Sequence, residues 1–359
     1  MIHIVLGTKA QLIKMAPIMR VLKSKNIPYN FIFTGQHNEG MDELQDNLGI
    51  KKPDTILYKG KDITSPLKMF IWSVIIITKS IFIKDRIFKK DKKGIVLVHG
   101  DTVTTLLGAL MGKFAGLKVG HVEAGLRSFD FFHPFPEEIV RVLTTPFSDY
   151  YFCPGQWALN NLSKYKGKKI NTFQNTIFDA FQLAIEKMDK TEMNIPKEKY
   201  CLVSIHRYEN IVNKKKFEQI IEIVEKVAKN IKCIFVLHPI TEKKLYRYNL
   251  YLRLKKNPGV ELQSRLSYLK FIKLVYHSEF MISDGGSNQE ECSYLGKPCL
   301  LLRQKTERLE GINRNVCLSE MDDSIIDNFL KNYKAFKAPM NKKEVSPSGI
   351  IVDEIKRFA

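Results

Sequence analysis

Three acids and two histidines in this sequence stand where the strands of an open α/β sheet deliver chemistry. Asp101 follows an apolar run at 95–99 and the turn residue Gly100. Glu123 ends a second apolar run at 117–122. Glu137 opens a helical stretch directly after Pro136. In a parallel sheet, ligands gather at the carboxyl ends of the strands. Carboxylates on one such rim suit proton transfer on a sugar, or the offsetting of positive charge at a ring carbon. Each acid also has a plain structural reading. Asp101 could cap the helix that starts near 103, and Glu137 with Glu138 could be ordinary first-turn acids after a proline. Glu123 precedes Ala124-Gly125 and has no adjacent helix to cap.

The second half repeats the pattern. His206 follows a strand at 201–205, and His238 follows one at 233–237. Asp284-Gly285-Gly286-Ser287 follows a strand at 280–283 and runs straight into a helix. A glycine turn at a helix start offers free backbone N–H groups to an anion. Lone histidines are often structural, but two at strand ends in one domain point to a site. Lys9 and Lys14 lie near the start of the first helix, where they either meet a phosphate or ride an exposed face. No GxGxxG follows the first strand and no GxxxxGK[ST] occurs, so neither a dinucleotide cradle nor a P-loop is expected.

These residues need a scaffold, and the spacing supplies one. Strands at 2–6, 29–34, 95–99, 117–122, 149–153 and 169–173 alternate with helical stretches, the last being counted as the sixth strand of a first domain. The alternation restarts near 200, after a polar stretch at 187–198. The expected fold class is α/β: two Rossmann-like domains with parallel sheets, facing each other across a cleft. The expected boundaries are 1–175 for the first domain, 176–198 for a linker region and 199–345 for the second domain. A helix at 346–359 is expected to pack back on the first domain.

The 359 residues suffice for two domains, and 44% apolar with 26% charged is a globular composition. A formal charge of +19 arises from 57 Lys and Arg against 38 Asp and Glu. It suits a polyanion, an anionic membrane or a phosphorylated small substrate, or it is solvated lysine surface. The basic residues are dispersed and no aromatics interleave with them, so no nucleic-acid partner is expected. The six cysteines include no CxxC pair, which argues against a metal site and for a reducing cytoplasm. The N-terminal MIHIVLGTKAQ enters a strand at once, so no signal peptide is expected. The apolar stretch 69–78 is too short to span a bilayer. It is expected to be a buried helix leaving through a solvated turn. The basic segment 79–93 carries a secondary expectation of peripheral membrane contact.

The motifs, taken in order, resemble one family. They are GTKAQLIKMAP at 7–17, TGQHNE at 34–39, HGDT at 99–102, GHVEAGLR at 120–127 and PFPEE at 134–138. There follow NT at 175–176 with Asp179, HR at 206–207 with Glu209, and HP at 238–239. The last are SDGG at 283–286, QEE at 289–291, LGKP at 295–298 and TER at 306–308. In this order they resemble the non-hydrolysing UDP-N-acetylglucosamine 2-epimerases of bacteria. The resemblance implies a GT-B-like pair of domains, a homodimer, and a cytoplasmic isomerase that supplies precursors of capsule and other surface polysaccharide. It implies interconversion of UDP-GlcNAc and UDP-ManNAc through 2-acetamidoglucal, with no cofactor and no metal. By the same resemblance Asp101, Glu123, Glu137 and His206 would be catalytic. Lys9, Lys14, Arg141, Arg207, His238, Gly285, Gly286, Ser287 and Glu291 would bind the UDP-sugar. Gln36 and His37 match a region where members bind a second, activating UDP-GlcNAc.

The chain departs from the family at the nucleotide-sugar site. Lys9 stands where the family's GTRPE has arginine, which removes a bidentate fork. The serine of DSGG is displaced to Ser287, TERPE becomes Thr306-Glu307-Arg308-Leu309-Glu310, Tyr208 follows Arg207, and Val140 precedes Arg141. A 2-epimerase for another UDP-N-acetyl sugar, a GT-B glycosyltransferase and a non-catalytic sugar-nucleotide binder are therefore kept as alternatives.

Overall fold

The computed structural model describes residues 1–131, 134–341 and 345–359. The chain forms two compact units: Met1–Ala180 with Glu344–Ala359, and Phe181–Lys343. In the first unit the order is β1 (Ile2–Leu6), α1 (Lys9–Ser24), β2 (Tyr29–Phe33), α2 (Met41–Leu48), β3 (Thr55–Ile56), α3 (Pro66–Phe82), α4 (Lys84–Ile87) and β4 (Ile95–His99). It continues with α5 (Val103–Phe114), β5 (Lys118–Val122), α6 (Glu137–Thr144), β6 (Tyr150–Cys153), α7 (Gln156–Asn160), β7 (Lys168–Asn171) and α8 (Ile177–Glu186), which runs past the unit's end. The seven strands are parallel in the order β3-β2-β1-β4-β5-β6-β7.

The second unit holds β8 (Tyr200–Ser204), α9 (Tyr208–Ile211), α10 (Lys214–Ala228), β9 (Lys232–Val236), α11 (Pro239–Arg247), α12 (Tyr251–Lys255) and β10 (Val260–Gln263). It ends with α13 (Tyr268–His277), β11 (Phe280–Ser283), α14 (Gly286–Leu295), β12 (Cys299–Leu301), β13 (Val316–Leu318) and α15 (Asp323–Asn332). Its order is β10-β9-β8-β11-β12-β13. Counted within each unit, the second sheet runs 3-2-1-4-5-6, the doubly wound order, and the first runs the same with a seventh strand added at its end, so each has a switch point between its first and fourth strands. α16 (Pro347–Ile355) returns to the first unit.

Strands buried on both faces read as continuous apolar runs. Ile2, Ile4 and Leu6 enter one core with α1 and α16, while Val5, Val96 and Val98 enter another with α3 and α5. Turn chemistry then aims the strand ends. Thr8 caps α1 in a capping box with Gln11. Gly7 is packed so closely that a Cβ there would meet the hydroxyls of Thr34 and Thr104 at 2.2 Å.

Several details differ from the sequence-based expectation. The strand at 168–171 is the seventh, not the sixth, because the two-residue β3 gives no run long enough to see. The stretch 246–254, which reads as one helix in the sequence, is split between α11 and α12, with Asn249 in the left-handed region between them. The stretch 69–78 lies in a helix, but that helix is not buried. Only Trp72, Ile76 and Ser80 are buried, with Met69 and Ile77 packed beside them, while Leu67, Phe70, Ile71, Val74, Ile81 and Phe82 are 48–80% exposed. Among the described residues no helix is long and apolar enough to cross a membrane.

Candidate active site

Asp101 sits in the turn after β4, beside the first unit's switch point. It is not the cap of α5. Thr102 takes that position, its N–H donating to the Thr105 hydroxyl at 3.2 Å. Asp101 is thereby left to form an ion pair with Arg141 Nη2, on the buried face of α6. Arg141 Nη1 also donates to Glu138 at 3.2 Å. Glu137 is the first residue of α6, half-buried, one turn before Arg141 on the same helix.

Glu123 is the first residue after β5, with a positive φ of 66°. A side chain in the left-handed region is strained, and such positions cluster at functional sites. Its carboxylate is buried and accepts from Lys14 Nζ at 2.5 Å and from Asn175 Nδ2. His99, the last residue of β4, brings Nε2 to 3.8 Å of the same carboxylate. Burial drives the His99 pKa down to about 3 against the pull of Glu123, so its ring is neutral. Gln11 ties this corner together. Its amide donates to the His99 carbonyl at 2.9 Å, while its oxygen accepts from the N–H groups of Gly7 and Thr8. His121 donates through Nε2 to the Gly100 carbonyl at 2.7 Å, and burial lowers its pKa too.

In the second unit the switch point gathers a different set. Asp284 is fully buried after β11 and accepts from the backbone N–H groups of His206 and Arg207 and from Asn210 Nδ2. One carboxylate thus fixes the turn after β8. The His206 ring stacks on His238, centroids 5.6 Å apart, and Nδ1 lies 3.5 Å from Asp284. Burial lowers the His206 pKa while Asp284 opposes it; a third of the side chain, 34%, stays exposed. Gly285 and Gly286 begin α14. A Cβ on Gly285 would lie 2.8 Å from the His206 ring, and one on Gly286 would lie 2.5 Å from Arg308 Nε. His206 and Arg308 therefore pack directly on the start of α14, at a distance only glycine allows, and a helix start is where backbone N–H groups can meet an anion. Ser287 lies half-buried in the first turn of α14. Glu291, one turn on, accepts from Asn288 Nδ2 at 3.1 Å.

The remaining sequence-predicted residues take these positions. Lys9 opens α1 and reaches over Gly40, its Nζ 3.1 Å from where a Cβ there would lie. Gln36 accepts from the Thr104 hydroxyl at 2.8 Å, and the His37 N–H donates to the Gly7 carbonyl, which places both beside the β1 turn. Arg207 pairs with Glu307 at 3.5 Å. Asp179 accepts from the Ser348 N–H and the Ser346 hydroxyl, and so anchors the start of α16. Sequence reasoning missed Gln11, His99, Asn175 and Glu138 as parts of the acidic corner. All four lay inside the motifs given above, which was the available signal.

The comparisons fit this geometry. A family model described as UDP-N-acetylglucosamine 2-epimerase matches residues 20–346. A UDP-N-acetylglucosamine 2-epimerase of Methanococcus maripaludis is 36% identical over 360 aligned residues, 94% of this chain and 94% of the relative. The crystal structure of the Methanocaldococcus jannaschii UDP-GlcNAc 2-epimerase with UDP-GlcNAc and UDP superimposes with a TM-score of 0.84 at 31% identity, over 100% of this chain and 99% of that one. The Neisseria meningitidis UDP-GlcNAc 2-epimerase bound to UDP-GlcNAc gives 0.85 at 29% identity, with 99% of each chain covered.

Proposed function

This chain belongs to the UDP-N-acetylglucosamine 2-epimerase family, and from that premise we propose that it interconverts UDP-GlcNAc and UDP-ManNAc. The observation that carries the reading is the acidic corner of the first unit, where Asp101, Glu123 and Glu137 follow strands β4 and β5. The sugar C2 proton is not acidic beside a carbon that lacks a carbonyl. Departure of UDP from C1 must therefore lead, leaving oxocarbenium-like charge that carboxylates offset. The C1–O bond breaks with its electron pair leaving on UDP. A carboxylate takes the C2 proton, and the C1–C2 double bond of 2-acetamidoglucal forms. Return of a proton to the other face of C2 and re-addition of UDP at C1 complete the inversion.

In this reading Lys14 and Arg141 direct the carboxylates, and His206 with the Gly285–Gly286 turn receives the diphosphate. Glu291 takes the ribose hydroxyls, and Gln36 with His37 would contact a second UDP-GlcNAc. Incubation with UDP-GlcNAc in heavy water tests the activity: deuterium at C2 and UDP-ManNAc are the expected products by NMR. A folded protein that binds UDP yet gives neither would sink the epimerase reading and favour the transferase. Lys9 in place of arginine makes a screen of UDP-N-acetyl sugars the companion assay, since another sugar is the second reading.

The partner is read as a second copy of the chain. The outer face of α3 carries Leu67, Phe70, Ile71, Val74, Thr78, Ile81 and Phe82 without a charge. Charge depletion with aromatics marks the core of a protein interface, and a stable one covers about 800 Å² per partner. Four of the seven cations in 79–93 are engaged within the chain: Lys79 and Lys84 on backbone carbonyls, Lys89 on Asp54 and Lys92 on Asp85. That disfavours a membrane role for 79–93. All six cysteines are free thiols, which suits work in the cytoplasm.

A further inference from the structure

Glu138 is the most enclosed ionisable group in the acidic corner, and nothing in the reaction proposed above uses it. Its side chain is fully buried, yet it holds three partners. Arg127 Nε donates to Oε1 at 2.5 Å, and Oε2 accepts from the Ser128 N–H at 3.1 Å and from Arg141 Nη1 at 3.2 Å. Arg141 passes its other terminal nitrogen to Asp101. The result is a row of alternating charge, Arg127–Glu138–Arg141–Asp101. It is enclosed at its middle and open at its ends, with 23% exposure at Arg127 and 19% at Asp101.

We propose that Glu138 is a positioning residue: by gripping Arg141 at one nitrogen it fixes the direction from which the guanidinium meets Asp101, and by gripping Arg127 and Ser128 it ties the loop after β5 to α6. The inference rests on the epimerase reading for its consequence in catalysis, but not for its geometry. A planar guanidinium has its orientation set when two of its nitrogens are held on different carboxylates. Glu138 and Arg141 lie three residues apart on α6, so they share a face by helix geometry alone. With Glu138 neutral, Arg141 loses one of its carboxylate anchors and Asp101 loses a partner of fixed direction. Misplacement of a reacting group by about 1 Å can cost roughly 100-fold in rate.

The test uses the full chain with Glu138→Gln, which preserves the volume and one acceptor oxygen. The expected result is a fall in kcat of about 100-fold, with KM and UDP affinity within a few-fold of wild type. Glu138→Asp, which keeps the charge, should recover part of the loss. Arg127→Met removes a half-exposed partner only. It should lower kcat in the same sense but less, and it keeps the test alive if the buried substitution folds poorly. Arg141→Lys combined with Glu138→Gln should be little worse than Arg141→Lys alone, because residues acting in series do not multiply. A kcat for Glu138→Gln within twofold of wild type, or effects that multiply, overturns the proposal. A crystal structure of Glu138→Gln without substrate decides the geometry independently: an unchanged Arg141–Asp101 pair overturns positioning. A wild-type enzyme that shows no C2 exchange would overturn the epimerase reading instead, and the crystal structure would still decide the role of Glu138.

Discussion

Lys14 and Glu123 meet at 2.5 Å although 109 residues separate them, with side chains only 6% and 2% exposed. Removing one partner of a buried pair strands the other, at a cost of about 3–5 kcal/mol. Lys14→Met should therefore lower unfolding stability by that order in urea titrations. Lys14→Met with Glu123→Gln should recover much of it, because no unpaired charge remains. Asp101→Asn and Glu137→Gln test the chemistry instead. Each should reduce turnover by about 100-fold or more with UDP binding preserved, and wild-type turnover would return either residue to a packing role. The contrast shows what single residues reveal in a sequence. An acid after an apolar run can be located at a strand end from spacing alone. Its partner cannot, since Lys14 and Arg141 reach their acids through tertiary folding, and Glu138 looks like any first-turn acid after a proline. The positive φ of Glu123 is equally hidden, because glutamate carries no preference for it.

At the level of elements, long periodic stretches were readable and short ones were not. β1 and β4 stand where their apolar runs at 2–6 and 95–99 imply, whereas β3 has two residues and no pattern. α3 misled for a physical reason. An apolar helix signals that something covers it, but not whether that is the same chain. On the proposed pairing of two copies through this face, replacing Phe70 and Val74 by aspartate should shift the protein from dimer to monomer in light scattering while leaving the far-ultraviolet spectrum intact. A wild-type monomer that instead sediments with anionic vesicles would favour the membrane role. α16 supplies a second element-scale prediction. Asp179→Ala removes its anchor on the Ser346 hydroxyl and Ser348 N–H. A lost cap of this kind costs about 0.5–2 kcal/mol, and hydrogen exchange in 347–355 should rise before the rest of the first unit opens.

Across the whole molecule, buried histidines set the response to acid. His3, His99 and His121 all lie in the first unit with pKa values lowered by burial, His99 to about 3 from 6.5. Unfolding frees these rings to bind protons below pH ~6.5, while burial in the folded unit opposes their protonation, for His99 down to about pH 3. The unfolded state then carries more protons, so stability rises with pH across that window. The contribution is complete above the unfolded pKa and is lost as pH falls toward about 3 for His99. Each such ring adds a slope of up to ~1.4 kcal/mol per pH unit. Urea titrations at pH 7.5, 6 and 5 should show the decline, and His99→Asn should make it shallower; an unchanged slope would mean other groups carry the effect.

The return of α16 to the first sheet has a consequence for how the protein is made. Ile351, Val352 and Ile355 complete the apolar core beneath α1, yet they leave the ribosome after every residue of the second unit. The first unit can lay down its strands early, but it cannot close one flank of its core until α16 has followed the second unit out of the ribosome. Nascent chains should therefore keep α1 sensitive to protease until α16 has emerged. Ribosome-bound intermediates ending before 347 would be the ones that chaperones hold.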